Sequence, residues 1–348
     1  MANISAIQQV RPVVVGVDTH KNTHHAAAVD EAGRLLGDQK FAATRAGYAA
    51  LLAWASTLGV VARVGIEGTA SYGAGLTRFL TARQVEAVEI SPGDRALRRL
   101  RGKSDASDAE AAARRALAET RPRVPKDTTS PVESIRQLNV VRNLLVKQQR
   151  ETMLQIDQFL ITGPDTVREQ FDRPTPIARA TALASALPDD DDPVAASLLG
   201  VLRMLARRWQ DTRAQVDQLA LELQAMVATQ RPALLAVDGI GPVTAATLLA
   251  AVGGNGNRIR SEAALARLFG AAPIPASSGQ THRYRLSRGG DRQANSALYR
   301  IAIVRLSHDP AARNYRDIRL ARGKTRRDVI RTLKRAICRE IYPLLCCP

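Results

Sequence analysis

Four carboxylates in the first third of the chain stand where chemistry can use them. Asp18 closes the apolar run Val13-Val14-Val15-Gly16-Val17, and Glu67 closes a second, Val64-Gly65-Ile66. Such short β-branched runs, without polar alternation, read as strands buried on both faces. Asp105 and Asp108, in Ser104-Asp105-Ala106-Ser107-Asp108, lie three residues apart and share one face of a helix. Carboxylates gathered together repel one another unless cations neutralise them, and Mg²⁺ prefers carboxylate and water oxygens. Two such ions about 3.5–4 Å apart activate an attacking oxygen and stabilise the leaving one in phosphoryl transfer. The plainer reading of Asp105 and Asp108 is a capped, solvated helix start among alanines. His20, His24 and His25 resemble a metal cluster on paper, but strand geometry sends neighbours to opposite faces, which argues against them as ligands.

The elements that must position these acids follow from the pattern around them. After the first strand, His24 to Val29 and Leu35 to Phe41 read as two more, joined by a turn at Asp30-Glu31-Ala32-Gly33. Ala43 to Leu58 and Gly73 to Ala82 have helical spacing, and Val85 to Ile90 is a further strand stopped by Ser91-Pro92-Gly93. The order β-β-β-α-β-α-β-α predicts a mixed α/β unit, and active sites of open α/β sheets lie beyond the carboxyl ends of strands. Asp18 and Glu67 both fall there. Just before the Asp pair, Arg95, Arg98, Arg99, Arg101 and Lys103 form a run that suits either gripping a phosphate backbone or a solvated helix face.

A boundary follows at Pro122, Pro125 and Pro131. Ser130-Pro131-Val132-Glu133 then opens a helix with a capping-box pattern, expected to run to about Ile161. A second long helix, from about Pro193 to Ala228, carries Leu198, Leu202, Leu205, Trp209, Thr212, Val216, Leu219, Leu223 and Met226 at 4-3 spacing. That seam predicts a coiled coil, made with the first helix or with another subunit. Asp189 to Asp192 reads as a solvated loop. The expected domains are residues 1–125, 126–230 and 231–348.

Charge is distributed unevenly. The net charge is +17, yet Lys plus Arg against Asp plus Glu is 15 to 12 over residues 1–120, 14 to 14 over 121–230, and 21 to 7 over 231–348. A basic last third points to a polyanion, with nucleic acid ahead of an anionic membrane surface. In that third, Val237-Asp238-Gly239-Ile240-Gly241-Pro242 resembles a helix-hairpin-helix turn, in which Gly239 and Gly241 let backbone N–H groups approach a phosphate; an ordinary tight turn is the alternative. Beyond it, Ser277-Ser278-Gly279 is followed by Arg283, Arg285 and Arg288, cations able to hold a phosphate beside an exposed hydroxyl, although a serine in such a loop is usually a turn residue. Cys338, Cys346 and Cys347 lack Cys or His companions at zinc spacing, no run of 18 apolar residues occurs, and the N-terminus lacks a signal-peptide layout. The expectation is a reduced, cytoplasmic, nucleoid-associated bacterial protein.

Taken together, Gly-Val-Asp18-Thr-His-Lys, Gly-Ile-Glu67-Gly-Thr and Lys-Ser-Asp105-Ala-Ser-Asp108-Ala resemble the acidic tetrad of the IS110 insertion-sequence transposases, the group that includes the Piv DNA invertases. Gly239-Ile240-Gly241-Pro242, Ser277-Ser278-Gly279 and Arg288-Gly289-Gly290-Asp291-Arg292-Gln293-Ala294-Asn295 resemble that family's second conserved domain, in the same order. The resemblance implies a RuvC-like, ribonuclease-H-type domain holding Mg²⁺ through Asp18, Glu67, Asp105 and Asp108. It implies a C-terminal serine, Ser278 or its neighbour Ser277, that attacks a DNA phosphate and forms a covalent link. It also implies a homo-oligomer with composite sites, strand exchange through a branched intermediate, and guidance by a structured RNA. Two other readings compete: a Holliday-junction-type nuclease without a covalent step, and a non-enzymatic nucleic-acid-binding protein. Aromatic residues make up only 4% of the chain, which leaves few stacking platforms for single-stranded bases.

Overall fold

The computed structural model describes residues 11–91, 104–187, 192–276, 279, 284–286 and 289–347, without the side chains of Arg285 and Leu286. The chain divides into two compact units, residues 1–130 with 253–258, and residues 131–252 with 259–348.

The first unit is built on a five-stranded mixed sheet. Strands β1 (Pro12–Thr19), β2 (Thr23–Val29) and β3 (Leu35–Ala42) form an antiparallel meander; β4 (Val60–Glu67) and β5 (Ala87–Ile90) run parallel to β1. The order is β3-β2-β1-β4-β5, with β1 at the centre. β1 has six consecutive buried residues, as a central strand covered on both faces must. On one face, Val15, Val17, Leu51, Ala55, Ile66, Leu76 and Leu80 pack with helices α1 (Arg45–Leu58) and α2 (Ala74–Thr81). On the other face, among the described residues, lies helix α3 (Asp105–Ala118), packed through Ala112, Ala113 and Ala116 against Val14, Val88 and Ile90.

Helix α3 approaches the sheet unusually closely, and two glycines are the reason. Gly16 on β1 pairs with Gly65 on β4. A Cβ on Gly16 would lie 2.0 Å from the Ala113 amide nitrogen and 2.2 Å from the Ala109 carbonyl oxygen; one on Gly65 would lie 2.6 Å from the Ala116 Cβ. Alanine spacing on the helix and glycine on the strands thus let backbone meet backbone. At its far end α3 is fastened by Arg63, whose guanidinium donates to the carbonyls of Ala116 (3.1 Å) and Glu119 (3.0 Å) and to Glu86 (2.9 Å). A cation on the last carbonyls also complements the helix dipole.

Among the described residues the second unit is helical except for a small β6–β7 ribbon (Pro273–Pro275 with Tyr284–Leu286). Its long helices α4 (Pro131–Thr162) and α7 (Pro193–Gln230) pack on each other, with short α5 (Asp165–Phe171) and α6 (Pro176–Ala184) between them. Met153, Ile156 and Leu160 of α4 meet Leu199, Leu202 and Trp209 of α7, while Val132 and Ile135 share a second core with Leu223 and Val227. The pair is therefore antiparallel. Of the 4-3 seam, Leu202, Trp209, Thr212, Val216 and Leu223 are buried, and the seam is filled from within the same chain.

Around the second core stand α8 (Pro232–Leu235), α9 (Pro242–Val252), α10 (Glu262–Leu268), α11 (Arg292–His308), α12 (Pro310–Ala321) and α13 (Arg326–Cys346). Gly239 turns the chain between α8 and α9 at φ 78°, a left-handed conformation that favours glycine. No helix among the described residues is long and apolar enough to cross a membrane.

Candidate metal centre at the sheet edge

The parallel register of β1 and β4 pairs Val17 with Ile66, so its next step sets Asp18 alongside Glu67. Both lie on the Gly16–Gly65 face, because side chains alternate along a strand. The strand ends are tied by Thr19, whose hydroxyl donates to the Glu67 carbonyl at 2.8 Å. Since α3 lies directly on that face, its first turn projects to the same edge.

Local chemistry fixes where α3 begins. Ser104 is the N-cap; its hydroxyl accepts from the Ser107 amide at 3.2 Å, and the Ser107 hydroxyl accepts in return from the Ser104 amide at 3.3 Å. This capping box satisfies helix-start donors with hydroxyls. Asp105 is left with outward partners: its carboxylate lies 3.4 Å from the His20 imidazole and 3.7 Å from the Lys40 ammonium. Asp108, one turn on, is buried.

Asp18, His20 and Asp105 come together: one potential ligand atom from each lies within 4.8 Å of the others. His20 Nε2 sits 3.1 Å from Asp18 Oδ2. Two carboxylates and an imidazole converging on one point form a donor set suited to a divalent cation. Glu67 and Asp108 are outside that tight group. Glu67 reaches the same edge but is engaged by Arg115 of α3 at 3.1 Å, a cation that offsets its charge.

His20 lies one residue past the end of β1, so strand alternation does not govern it, and its imidazole is placed beside the two carboxylates. The other two histidines are elsewhere. His24 is fully buried and stacks on Tyr48 at 5.5 Å, and desolvation by burial lowers its pKa. His25 is bound to Asp38 at 2.6 Å.

In the second unit, Gly239 and Gly241 line an open groove of ≈ 710 Å³ together with Asp238, Thr244, Tyr299 and Arg300. Ser277, Ser278, Arg283 and Arg288, the side chain of Arg285, and the run Arg98, Arg99, Arg101 and Lys103 lie outside the described residues. The base of the serine loop is described. Asn295 donates to the carbonyls of Phe269 (2.8 Å) and Gly270 (2.9 Å), and its Oδ1 accepts from the buried Lys334 ammonium, whose pKa burial lowers.

A family model of DEDD-type IS110 transposases matches residues 15–162, and a second, described as "Transposase IS116/IS110/IS902 family", matches residues 231–317; together they take in about two thirds of the chain. The chain is 34% identical over 155 residues to an uncharacterized 43.6 kDa protein of insertion element IS110 from Streptomyces coelicolor, covering 44% of this chain and 37% of that protein. It is 31% identical over 113 residues to an uncharacterized 42 kDa protein of insertion element IS900 from Mycobacterium paratuberculosis, covering 32% of this chain and 28% of that one. The aligned segments thus span about a third of each relative's length. The chain belongs to the IS110 family of transposases.

Proposed function

We propose that this protein is a DNA transposase or site-specific recombinase with a RuvC-like catalytic domain, cleaving and rejoining strands through a serine–DNA link. The observation that carries the reading is the convergence of Asp18 and Asp105, from a central strand and a separate helix, at the carboxyl end of β1, with Glu67 ending the neighbouring strand and Asp108 one helix turn after Asp105. Asp18, Glu67, Asp105 and Asp108 would hold Mg²⁺, with His20 against the first and third. When bound, the ion would supply positive charge that offsets the carboxylates and the charge developing on the phosphate in strand transfer.

The chain's own residues do the rest. Ser278 (or Ser277) attacks phosphorus; its Oγ–P bond forms as a bond from phosphorus to a deoxyribose oxygen breaks, and the hydroxyl proton ends on the leaving oxygen. The reverse reaction with a different strand end rejoins DNA. Arg283, Arg285 and Arg288 orient the phosphate, while Arg98, Arg99, Arg101, Lys103 and the amides around Gly239 and Gly241 grip the backbone. A structured RNA encoded with the element directs target choice, and the protein works as a homo-oligomer in the bacterial cytoplasm, at the nucleoid. The long-helix pair supports that assembly, since Leu144 and Leu154 on α4 and Met204 and Leu221 on α7 are each more than half exposed.

The test is covalent trapping: protein, Mg²⁺, labelled junction DNA and co-expressed RNA run on a denaturing gel. A protein-bound DNA band that disappears in Ser278→Ala and in Asp105→Ala supports the proposal. Cleaved DNA without an adduct would favour the junction nuclease, and no Mg²⁺-dependent cleavage at all would leave a binding protein.

A further inference from the structure

Helices α12 and α13 are joined by Arg322-Gly323-Lys324-Thr325, with Gly323 at φ 74°. Residues 313–331 carry eight cations, Arg313, Arg316, Arg319, Arg322, Lys324, Arg326, Arg327 and Arg331, against Asp317 and Asp328 alone. Both acids are already engaged. Asp317 pairs with Arg316 at 2.8 Å, and Asp328 accepts from the Thr325 hydroxyl and from Arg331. Arg322, Lys324, Arg326 and Arg327 are exposed and make no ion pair or side-chain hydrogen bond among the described residues. Arg319 adds a buried Nε without a hydrogen-bond partner.

This placement works against the fold. Arg326 and Arg327 occupy the first turn of α13, where the positive end of the helix dipole disfavours cations. Four cations within six residues, of which only Lys324 has an acid, Asp328, in its field, also repel one another. Nor does packing account for α12, of whose twelve residues only Ala312 is buried. A surface arranged against local stability fits a polyanion that neutralises it on binding. Its one aromatic, Tyr315, is half-buried with Arg319 ranged over its ring at 5.9 Å, so no exposed ring is presented for unstacked bases. Charge without stacking platforms suits the phosphates of a duplex.

We infer that the α12–α13 hairpin is a sequence-independent clamp on the phosphate backbone of duplex DNA. It rests on the transposase reading and adds a surface to it, and the residues from Ile318 onward lie beyond both family-model matches.

The experiment is fluorescence anisotropy of the full chain on two unrelated labelled DNA duplexes, titrated at several salt concentrations. Each phosphate contact contributes roughly −0.9 to the slope of log affinity against log salt. The variant R322Q/K324Q/R326Q/R327Q is expected to bind more than tenfold more weakly at about 0.1 M salt and to reduce the slope magnitude by up to about 3.6, equally on both duplexes. The charge-preserving R322K/R326K/R327K is expected to keep the slope. The Gln variant should melt at or above the wild-type temperature, because it removes cations from the start of α13. An unchanged slope on DNA overturns the clamp, as does a loss confined to an RNA duplex run in parallel. Asp18→Asn keeps the slope if the clamp is right, so failure of strand cleavage and failure of the clamp are read separately.

Discussion

Substituting Gly16 by alanine tests how the acids are brought together, because it adds one methyl at the point where α3 touches the sheet. The new Cβ would sit 2.0 Å and 2.2 Å from backbone atoms of Ala113 and Ala109, where ordinary contact is 3.4–4 Å. The neighbours are main chain, so no rotamer change relieves the clash; α3 must shift by about 1.5 Å or the strand must bend, a cost of at least ~3 kcal/mol. In a unit of this size that is a fall of about 10 °C in melting temperature. The same shift carries Asp105 and Asp108 away from Asp18 and Glu67, and a displacement of about 1 Å at a reacting centre costs about 100-fold in rate. Thermal melting and Mg²⁺-dependent cleavage of junction DNA, measured on Gly16→Ala, read both effects. Gly65→Ala supplies the contrast. Its two severe clashes are with side-chain atoms, the Ala116 Cβ at 2.6 Å and the Ile90 Cγ1 at 2.9 Å, while its nearest main-chain neighbour, the Ala112 carbonyl oxygen, is 3.2 Å away. The double variant Gly65→Ala with Ala116→Gly should therefore recover part of the stability, a coupling visible in a double-mutant cycle. A Gly16→Ala protein with wild-type melting and wild-type cleavage would refute the reasoning.

Other consequences are simpler to state. Arg63→Met removes the guanidinium from the last carbonyls of α3 and should destabilise the first unit by about 1–2 kcal/mol in urea unfolding. Asn295→Ala strips two carbonyls of their donor and leaves the buried Lys334 ammonium without its acceptor, a loss of about 3 kcal/mol, and Lys334→Met in the same chain should restore part of it. Burial pushes the Cys338 thiol up to about 12 from 9.0, so in native protein at pH 8 a thiol reagent should modify exposed Cys347 quickly and Cys338 only after denaturation. Because that folded-state value is raised, the associated stability is complete below pH 9 and is lost as pH climbs towards 12, on the order of 4 kcal/mol in all; Cys338→Ala should flatten the alkaline limb of the pH–stability profile.

The first unit was legible because its signals are local. Buried strands announce themselves in Val13 to Val17 and Val64 to Ile66, and the three-residue spacing of Asp105 and Asp108 among alanines marks the first turn of α3. What periodicity could not convey is the depth at which α3 lies on the sheet, since that depends on Gly16 and Gly65 being neighbours on different strands. His20 was passed over by treating three nearby histidines as one strand, although the chain has already left β1 at that residue. The 4-3 seam of α7 was clear in the sequence, but its partner was not: α4 has a broken repeat, and only its antiparallel packing shows Met153, Ile156 and Leu160 filling the seam. Gly239 marked a turn correctly by type, whereas the groove beside it needed Tyr299 and Arg300 from a helix some sixty residues on.

The central claim is that Asp18 and Asp105 hold a divalent cation. Titration of the purified full chain with Mn²⁺, followed by electron paramagnetic resonance of the free ion, measures this without DNA or catalysis. Wild-type protein should bind Mn²⁺ in competition with Mg²⁺, while Asp18→Asn and Asp105→Asn should each bind at least tenfold more weakly at unchanged melting temperature. Equal binding by all three proteins would contradict the account.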